Sequence, residues 1–367
     1  MQIDSMNSSE SLGQSTAHAR YLKVRKFESL DGLRAIAILM VIWFHAIDTP
    51  WVDWPITSRG FLGVDLFFII SGFLITSLLL RERARTGEIS LGDFYVRRAL
   101  RIFPPYFLLL LVIGAAAVLK PGKTSATDLH ELPYAALFLS NLVPMSGNLY
   151  LTWTLAVEQQ FYFLAPALEK YFRRVLFVLL PFLYLMAALP SFGFFSEVRL
   201  PPFFRETTFG PILLGVGLAH ALNHPRGFTL ISRVLGFKPA AVLAAGLVIL
   251  AASYPASDIS GWPRLAIHWS FAVMVASCVI RERNGLQPVL TLWPMRRIGL
   301  VSYGIYLYHD VVAHAVNPVL KMLGMWLELS SFFATALCAW AVAELSYRFY
   351  EKRFLTMKTR FARAGPG

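Results

Sequence analysis

Residues 30–45 read LDGLRAIAILMVIWFH, and this stretch decides the class of fold. Between Arg34 and His45 every side chain is apolar. A helix carrying it is nearly long enough to span a bilayer, which takes about 20 mostly apolar residues. Eleven positions separate Arg34 from His45. At ~100° per residue that is three turns plus about 20°, so both lie on one face, about 16 Å apart along the axis. Ionisable groups inside a bilayer are costly and mark function by default. The plainer reading is that Arg34 reaches out to lipid phosphate and His45 is a satisfied interfacial histidine.

The pattern repeats outward from this stretch. Apolar blocks occur at about 30–49, 61–80, 101–119, 153–169, 173–190, 206–222, 239–254, 264–280, 298–317 and 330–350. The expected fold is therefore an all-α integral membrane protein of about ten transmembrane helices. The segment 132–143 is apolar but short and holds Pro133, so it is expected to be re-entrant or interfacial. Composition agrees: 56% of residues are hydrophobic and 15% charged, against about 25% charged in soluble domains. A soluble enzyme and a disordered chain are both excluded. Cys278 and Cys338 lie in apolar runs and offer no metal or disulfide spacing; both are expected as buried small hydrophobes. The polar first 29 residues end in a basic cluster and are not expected to act as a signal peptide.

The net charge of +12 follows from topology. With the N-terminus in the cytoplasm, 27 Lys/Arg fall on the inner side and 7 on the outer. That asymmetry obeys the positive-inside rule and places both termini in the cytoplasm. It needs no nucleic acid. The expected organisation is a basic tail over 1–26, a membrane domain over 27–354 and a second cytoplasmic tail over 355–367, in the plasma membrane.

A few polar residues interrupt the apolar blocks. The second block reads GFLGVDLFFIISGF over 60–73. Asp65 is expected near the outer surface at the depth of His45, either fixing the imidazole tautomer or pairing structurally. Gly63 and Gly72 would permit close helix approach. Arg98 and Arg101 have i, i+3 spacing and share a face at the inner surface, where the guanidinium fork suits phosphate or merely orients the chain. Glu158, in the block beginning at Trp153, has no cation beside it in sequence. Tyr303 and His309 form part of SYGIYLYH (302–309), an aromatic belt or a polar network. By depth alone, His45, Asp65 and Glu158 fall in the outer half, and Arg34, Arg98 and Arg101 at the inner side.

These residues carry a resemblance. The chain resembles the acyltransferase 3 family of membrane-bound O-acyltransferases over about Phe27 to Phe354. The residues are the arginine and histidine of Leu30–His45, GVDLFFIISGFL at 63–74, Arg98-Ala-Leu-Arg101 followed by Pro104, WTLAVEQQFY at 153–162 and SYGIYLYH at 302–309. The resemblance implies transfer of an acyl group, usually acetyl from acetyl-CoA, to a hydroxyl of a carbohydrate or other acceptor. It implies that His45 is the catalytic histidine, with Arg34 its motif partner and Arg98 and Arg101 at the CoA end. Asp65 or Glu158 is expected to orient His45; Asp31, Ser71, Trp153, Tyr303 and His309 are supporting candidates. A thioester is already activated, so no metal and no permanently bound cofactor are expected. Some relatives carry an added SGNH hydrolase-type domain; this chain is expected to be the membrane module alone. The expected partners are acyl-CoA, a glycoside or lipid-linked glycan acceptor, the lipid bilayer and a separate extracytoplasmic acyl-accepting enzyme. The competing readings are a transporter of an anionic or glycan-linked substrate, and a non-catalytic scaffold.

Overall fold

A computed structural model describes residues 17–46, 55–193, 209–256, 258–325 and 327–357. The ends of both expected tails (1–16 and 358–367), the end of the first block, the start of the sixth, and Arg199 and Arg205 lie outside the described residues.

Each of the ten apolar blocks is mainly helical where described, the ninth being broken at Val301. The helices are α1 (Glu28–Ala46), α2 (Leu62–Thr86), α3 (Leu91–Leu119), α4 (Lys123–Ala136), α5 (Thr152–Tyr171) and α6 (Arg173–Ala188). There follow α7 (Phe209–Asn223), α8 (Pro225–Leu235), α9 (Ala240–Ala252), α10 (Trp262–Ile280), α11 (Trp293–Leu300), α12 (Ser302–Met322) and α13 (Glu328–Leu345). No strand occurs among the described residues. This is an all-α, multi-pass membrane protein.

By length and apolarity, six helices can each cross a bilayer: Glu28–Ala46, Leu62–Thr86, Leu91–Leu119, Arg173–Phe192, Trp262–Ile280 and Glu328–Met357. A seventh crossing arises if α8 and α9, bent by 79°, count as one span. This is fewer than the ten expected, for physical reasons. Helix α7 is short, with 15 residues. Helices α5 and α12 are long enough, but their hydropathy is lowered by polar residues such as Glu158, Gln159, Gln160 and Glu169, and by His309, Asp310 and Asn317. The segment 132–143 also differs from expectation. Its first part is the end of α4, and the chain then turns through Phe138, which has a positive φ of 55°.

Helix α2 is the hub. It packs on α1, α5, α7 and α10, and glycines set how closely. A Cβ on Gly63 would come within 2.3 Å of the Ala37 carbonyl oxygen on α1. One on Gly72 would come within 2.2 Å of the Ile212 carbonyl oxygen on α7. Gly215 of α7 returns the contact against Ile69 at 2.2 Å. Backbones approach this closely only where the side chain is absent. The interlock seals a core of Leu33, Leu62, Leu66, Ile69, Phe73 and Phe271. Helix α6 faces outward, with Phe177, Val178, Phe182 and Leu185 exposed, as a lipid-contacting helix requires. Cys278 is buried as expected, but Cys338 is exposed on the outer face of α13, because an apolar run does not reveal which side of a helix meets lipid.

Candidate active site

Helices α1, α2, α3, α5 and α12 enclose a cavity of about 310 Å³. Its wall carries Arg25, Lys26, Arg34, Arg81, Arg98 and Arg101 against two carboxylates, Asp31 and Glu158. A narrow space of about 50 Å³ lies against it. Arg34, Ser71, Glu158 and Tyr303 line both, so the two are neighbouring parts of one pocket. The narrow part is closed by Thr154 and Tyr306, whose hydroxyls are 2.7 Å apart.

The cations are held in different ways. Arg81 donates to the carbonyls of Val24 and Tyr21 and stacks over the rings of Tyr21 and Phe27, so it belongs to the framework. Lys26 pairs with Asp31 at 2.7 Å. Arg34, Arg98 and Arg101 make no salt bridge among the described residues; Arg98 lies over the Phe94 and Tyr162 rings, 5.6 and 5.7 Å from their centroids. Aromatic faces position a guanidinium while leaving most of its five donors for another acceptor.

Glu158 does not lie beside His45. It accepts hydrogen bonds from the Ser71 and Tyr162 hydroxyls and faces the arginine-lined cavity. Depth counted along a helix says nothing of its rotation, and here α5 turns Glu158 toward Arg34. Asp65 differs from expectation too. Its buried carboxylate pairs with Arg264 at 2.8 Å and His268 at 3.4 Å, both on α10. Neither carboxylate is hydrogen-bonded to His45 among the described residues.

His45 sits at the end of α1 with an exposed ring. Its Nδ1 is 2.8 Å from the Val41 carbonyl oxygen. Its ring meets that of His309 edge to face, with centroids 5.1 Å apart. His309 in turn contacts Tyr306, centroids 5.6 Å apart. Tyr306 and His309 therefore stand between the narrow end of the pocket and His45. Among the other candidates, Ser71 and Asp31 line the pocket, and Tyr303 lines it and donates to the Ile102 carbonyl at 3.2 Å. Trp153 packs against the cluster around Phe68 and Phe161 and lines neither cavity.

Sequence reasoning missed Thr154, Tyr162 and Tyr306. The signal was present: Thr154 and Tyr162 flank Glu158 at four-residue spacing and so share its face, as Tyr306 does with Tyr303 at three. No group of three or more His, Cys, Asp or Glu among the described residues could hold a metal ion.

The arginine-lined pocket and the histidine pair both lie inside a helical membrane domain. The chain belongs to the acyltransferase 3 family, described as an acyltransferase domain, whose profile matches residues 27–344. It is 30% identical over 361 residues to the O-acetyltransferase OatA of Staphylococcus aureus, covering 89% of this chain and 57% of the relative. It is 27% identical over 357 residues to the peptidoglycan O-acetyltransferase OatA of Listeria monocytogenes, covering 88% of this chain and 55% of the relative. The chain thus spans little more than half the length of these relatives. No solved structure matches.

Proposed function

We propose that this chain moves an acyl group, acetyl first among them, from a cytoplasmic acyl-CoA to a hydroxyl of a carbohydrate acceptor, as a multi-pass protein of the plasma membrane with both termini in the cytoplasm. The observation that carries the reading is the pocket. Arg98 and Arg101, with no salt bridge among the described residues, line its wide part; Arg34 lines both parts; and Tyr306, in contact with His309 and through it with His45, lines the narrow one. Coenzyme A offers phosphates to the wide part and a thioester to the narrow one. The names of the two relatives favour acetyl as the group, and one favours a cell-wall glycan as acceptor. The reading includes the lipid bilayer as setting and a separate extracytoplasmic enzyme as a later recipient of the acyl group.

The chemistry follows from the tautomer of His45. A backbone carbonyl only accepts, so the Nδ1 facing Val41 carries the proton and Nε2 is the base. Nε2 takes the proton of the acceptor hydroxyl, and the oxygen attacks the thioester carbonyl. The carbon–sulfur bond breaks with its electron pair on sulfur, and the imidazolium returns the proton to the thiolate. Arg98 and Arg101 bind the CoA phosphates, and Arg34 holds the donor between them and His45.

The test is release of free CoA thiol from acetyl-CoA by the purified protein supplied with cell-wall glycan. General-base catalysis is worth about 10²–10⁴ in rate, so His45→Ala and His45→Gln should lose that much while eluting as wild type. Near-normal turnover in both variants removes His45 from this role. Mass spectrometry of cell-surface glycans with and without the gene then locates the ester; the acetyl group, replacing one hydroxyl hydrogen, adds about 42 mass units.

A further inference from the structure

The arginine-lined cavity has a larger neighbour that the reaction does not use. Between α3 and α5 lies a groove of about 710 Å³, within the range of ordinary ligand sites, about 300–1,000 Å³. Ala99 and Phe103 of α3, Phe163 and Leu164 of α5, and the turn 137–139 line it. Its walls include two stacked ring pairs, Tyr95 on Phe163 and Phe103 on Phe138, with centroids 5.8 and 5.7 Å apart. Tyr95, Ala99 and Phe103 recur at four-residue spacing and form one stripe of α3. The small Ala99 at its middle leaves the groove open.

The mouth is apolar: Leu137, Phe163 and Leu164 are all exposed. On a membrane protein such a face meets hydrocarbon rather than water. One lining group does not suit hydrocarbon. Arg98 lines the groove as well as the cavity, and makes no salt bridge among the described residues. A cation facing lipid chains is costly unless an anion meets it.

The depth of Arg98 points to the source of that anion. Helix α3 has 29 residues, about 43 Å of helix, against a hydrocarbon core of about 30 Å. Its first turns hold Asp93, Arg97 and Arg98, and these polar turns take up the excess length. In the orientation proposed above, Arg98 then falls at the level of the inner headgroups, and Ala99 and Phe103 lead from it toward the bilayer core. A phosphate that carries its own hydrocarbon chain matches both ends of the groove.

We infer that the groove between α3 and α5 binds an anionic phospholipid of the inner leaflet, its phosphate on Arg98 and one hydrocarbon chain along Ala99, Phe103 and Phe138. An anionic headgroup has no ammonium of its own to neutralise the phosphate, so Arg98 supplies the charge; basic pockets between membrane helices on the cytoplasmic side take such headgroups. Arg98 has five donors and faces both spaces. Arg101 lines the cavity but not the groove. The inference uses the proposed orientation of the chain and is independent of acyl transfer.

Native mass spectrometry of the purified full chain tests this. The protein is equilibrated with equal amounts of phosphatidylglycerol and phosphatidylcholine of the same chain length, and the lipid retained after detergent washing is counted. The expected result is one phosphatidylglycerol per chain, kept in preference to phosphatidylcholine. Arg98→Ala should lower its retention about tenfold, the lower bound for a hydrogen bond to a charged group. Ala99→Trp, which fills the groove and leaves Arg98 in place, should lower it as much, and Arg101→Ala should retain the lipid. Excess glycerol 3-phosphate, which lacks the chain, should not displace it. No retained lipid, or equal retention of the two lipids, overturns the inference and leaves only the lipid that surrounds any membrane protein. Equal loss in Arg98→Ala and Arg101→Ala overturns it in favour of general positive potential. Normal retention in Ala99→Trp places the lipid elsewhere, and displacement by glycerol 3-phosphate makes the site one for free phosphate. If Ala99→Trp does not elute as wild type, Leu164→Trp at the mouth replaces it. Thiol release from acetyl-CoA by the same samples keeps the two readings apart: retained lipid without turnover defeats the proposed activity alone, and turnover without retained lipid defeats this inference alone.

Discussion

Two groups of charge lie against α2, and they are built on different rules. On one side Asp65, Arg264 and His268 close on each other, with the Phe61 ring under the guanidinium at 5.1 Å. On the other, Arg34, Arg98 and Arg101 surround about 310 Å³ of open space with no ion pair among the described residues. The first arrangement is ion-paired within itself; the second leaves room for a ligand. A buried charge is tolerable only when paired. Paired charges therefore read as part of the framework, and unpaired ones around a cavity as a binding site.

The largest effect follows from breaking the closed group. Removing one partner of a buried pair costs about 3–5 kcal/mol, because the other charge stays behind. Asp65→Leu should lower stability by that order, read as a shift in the thermal or denaturant midpoint in detergent. Asp65→Leu combined with Arg264→Met should recover most of the loss, since no charge is stranded. An Asp65→Leu protein as stable as wild type that has lost catalysis would move Asp65 from framework to active site and dissolve the contrast.

The open group predicts the opposite pattern. Arg98→Ala and Arg101→Ala should lower stability less than Asp65→Leu does, because neither arginine makes a salt bridge among the described residues. Each should weaken acetyl-CoA binding by the worth of a hydrogen bond to a charged group, about 1.5–3 kcal/mol, or roughly 10- to 150-fold. Calorimetric titration with acetyl-CoA and with dephospho-CoA reads this directly. Unaltered affinity would return both arginines to topology.

The ten apolar blocks were legible because hydropathy is a local property, and each is mainly helical, but six or seven rather than ten qualify as spans by length and apolarity. The close approaches at Gly63 and Gly72 were legible too, since a small residue in an apolar helix has few other uses. Partners far apart in the chain were not. Arg264 and His268 lie about two hundred positions from Asp65, and only the packing of α10 on α2 joins them. Glu158 shows the other limit. Its depth could be counted from the start of α5, but its direction is set by how α5 rotates against α2 and α12. His309 was visible as a candidate, yet its contact with His45 exists only in the folded protein. The basic residues posed the hardest case, because in the sequence a cavity arginine and a positive-inside arginine look alike.

That ambiguity yields the smallest and most discriminating effect. Arg296 lies on α11, which leads to the cavity-lining Leu300, and pairs with Glu28 at 3.2 Å. Both side chains are well exposed, at 41% and 54%. Exposed pairs contribute about 0–1 kcal/mol, so Arg296→Ala should move the unfolding midpoint barely at all. It should also leave acetyl-CoA affinity within twofold, about 0.4 kcal/mol on the tenfold-per-1.4 kcal/mol scale. It removes the same unit of charge from the same end of the bundle as Arg98→Ala does. If Arg296→Ala weakened binding as much as Arg98→Ala, general positive potential would account for the donor's attraction and the cavity would lose its claim. If only the cavity arginines respond, the contact is local, and the unpaired guanidiniums of the pocket do something that the basic surface around them does not.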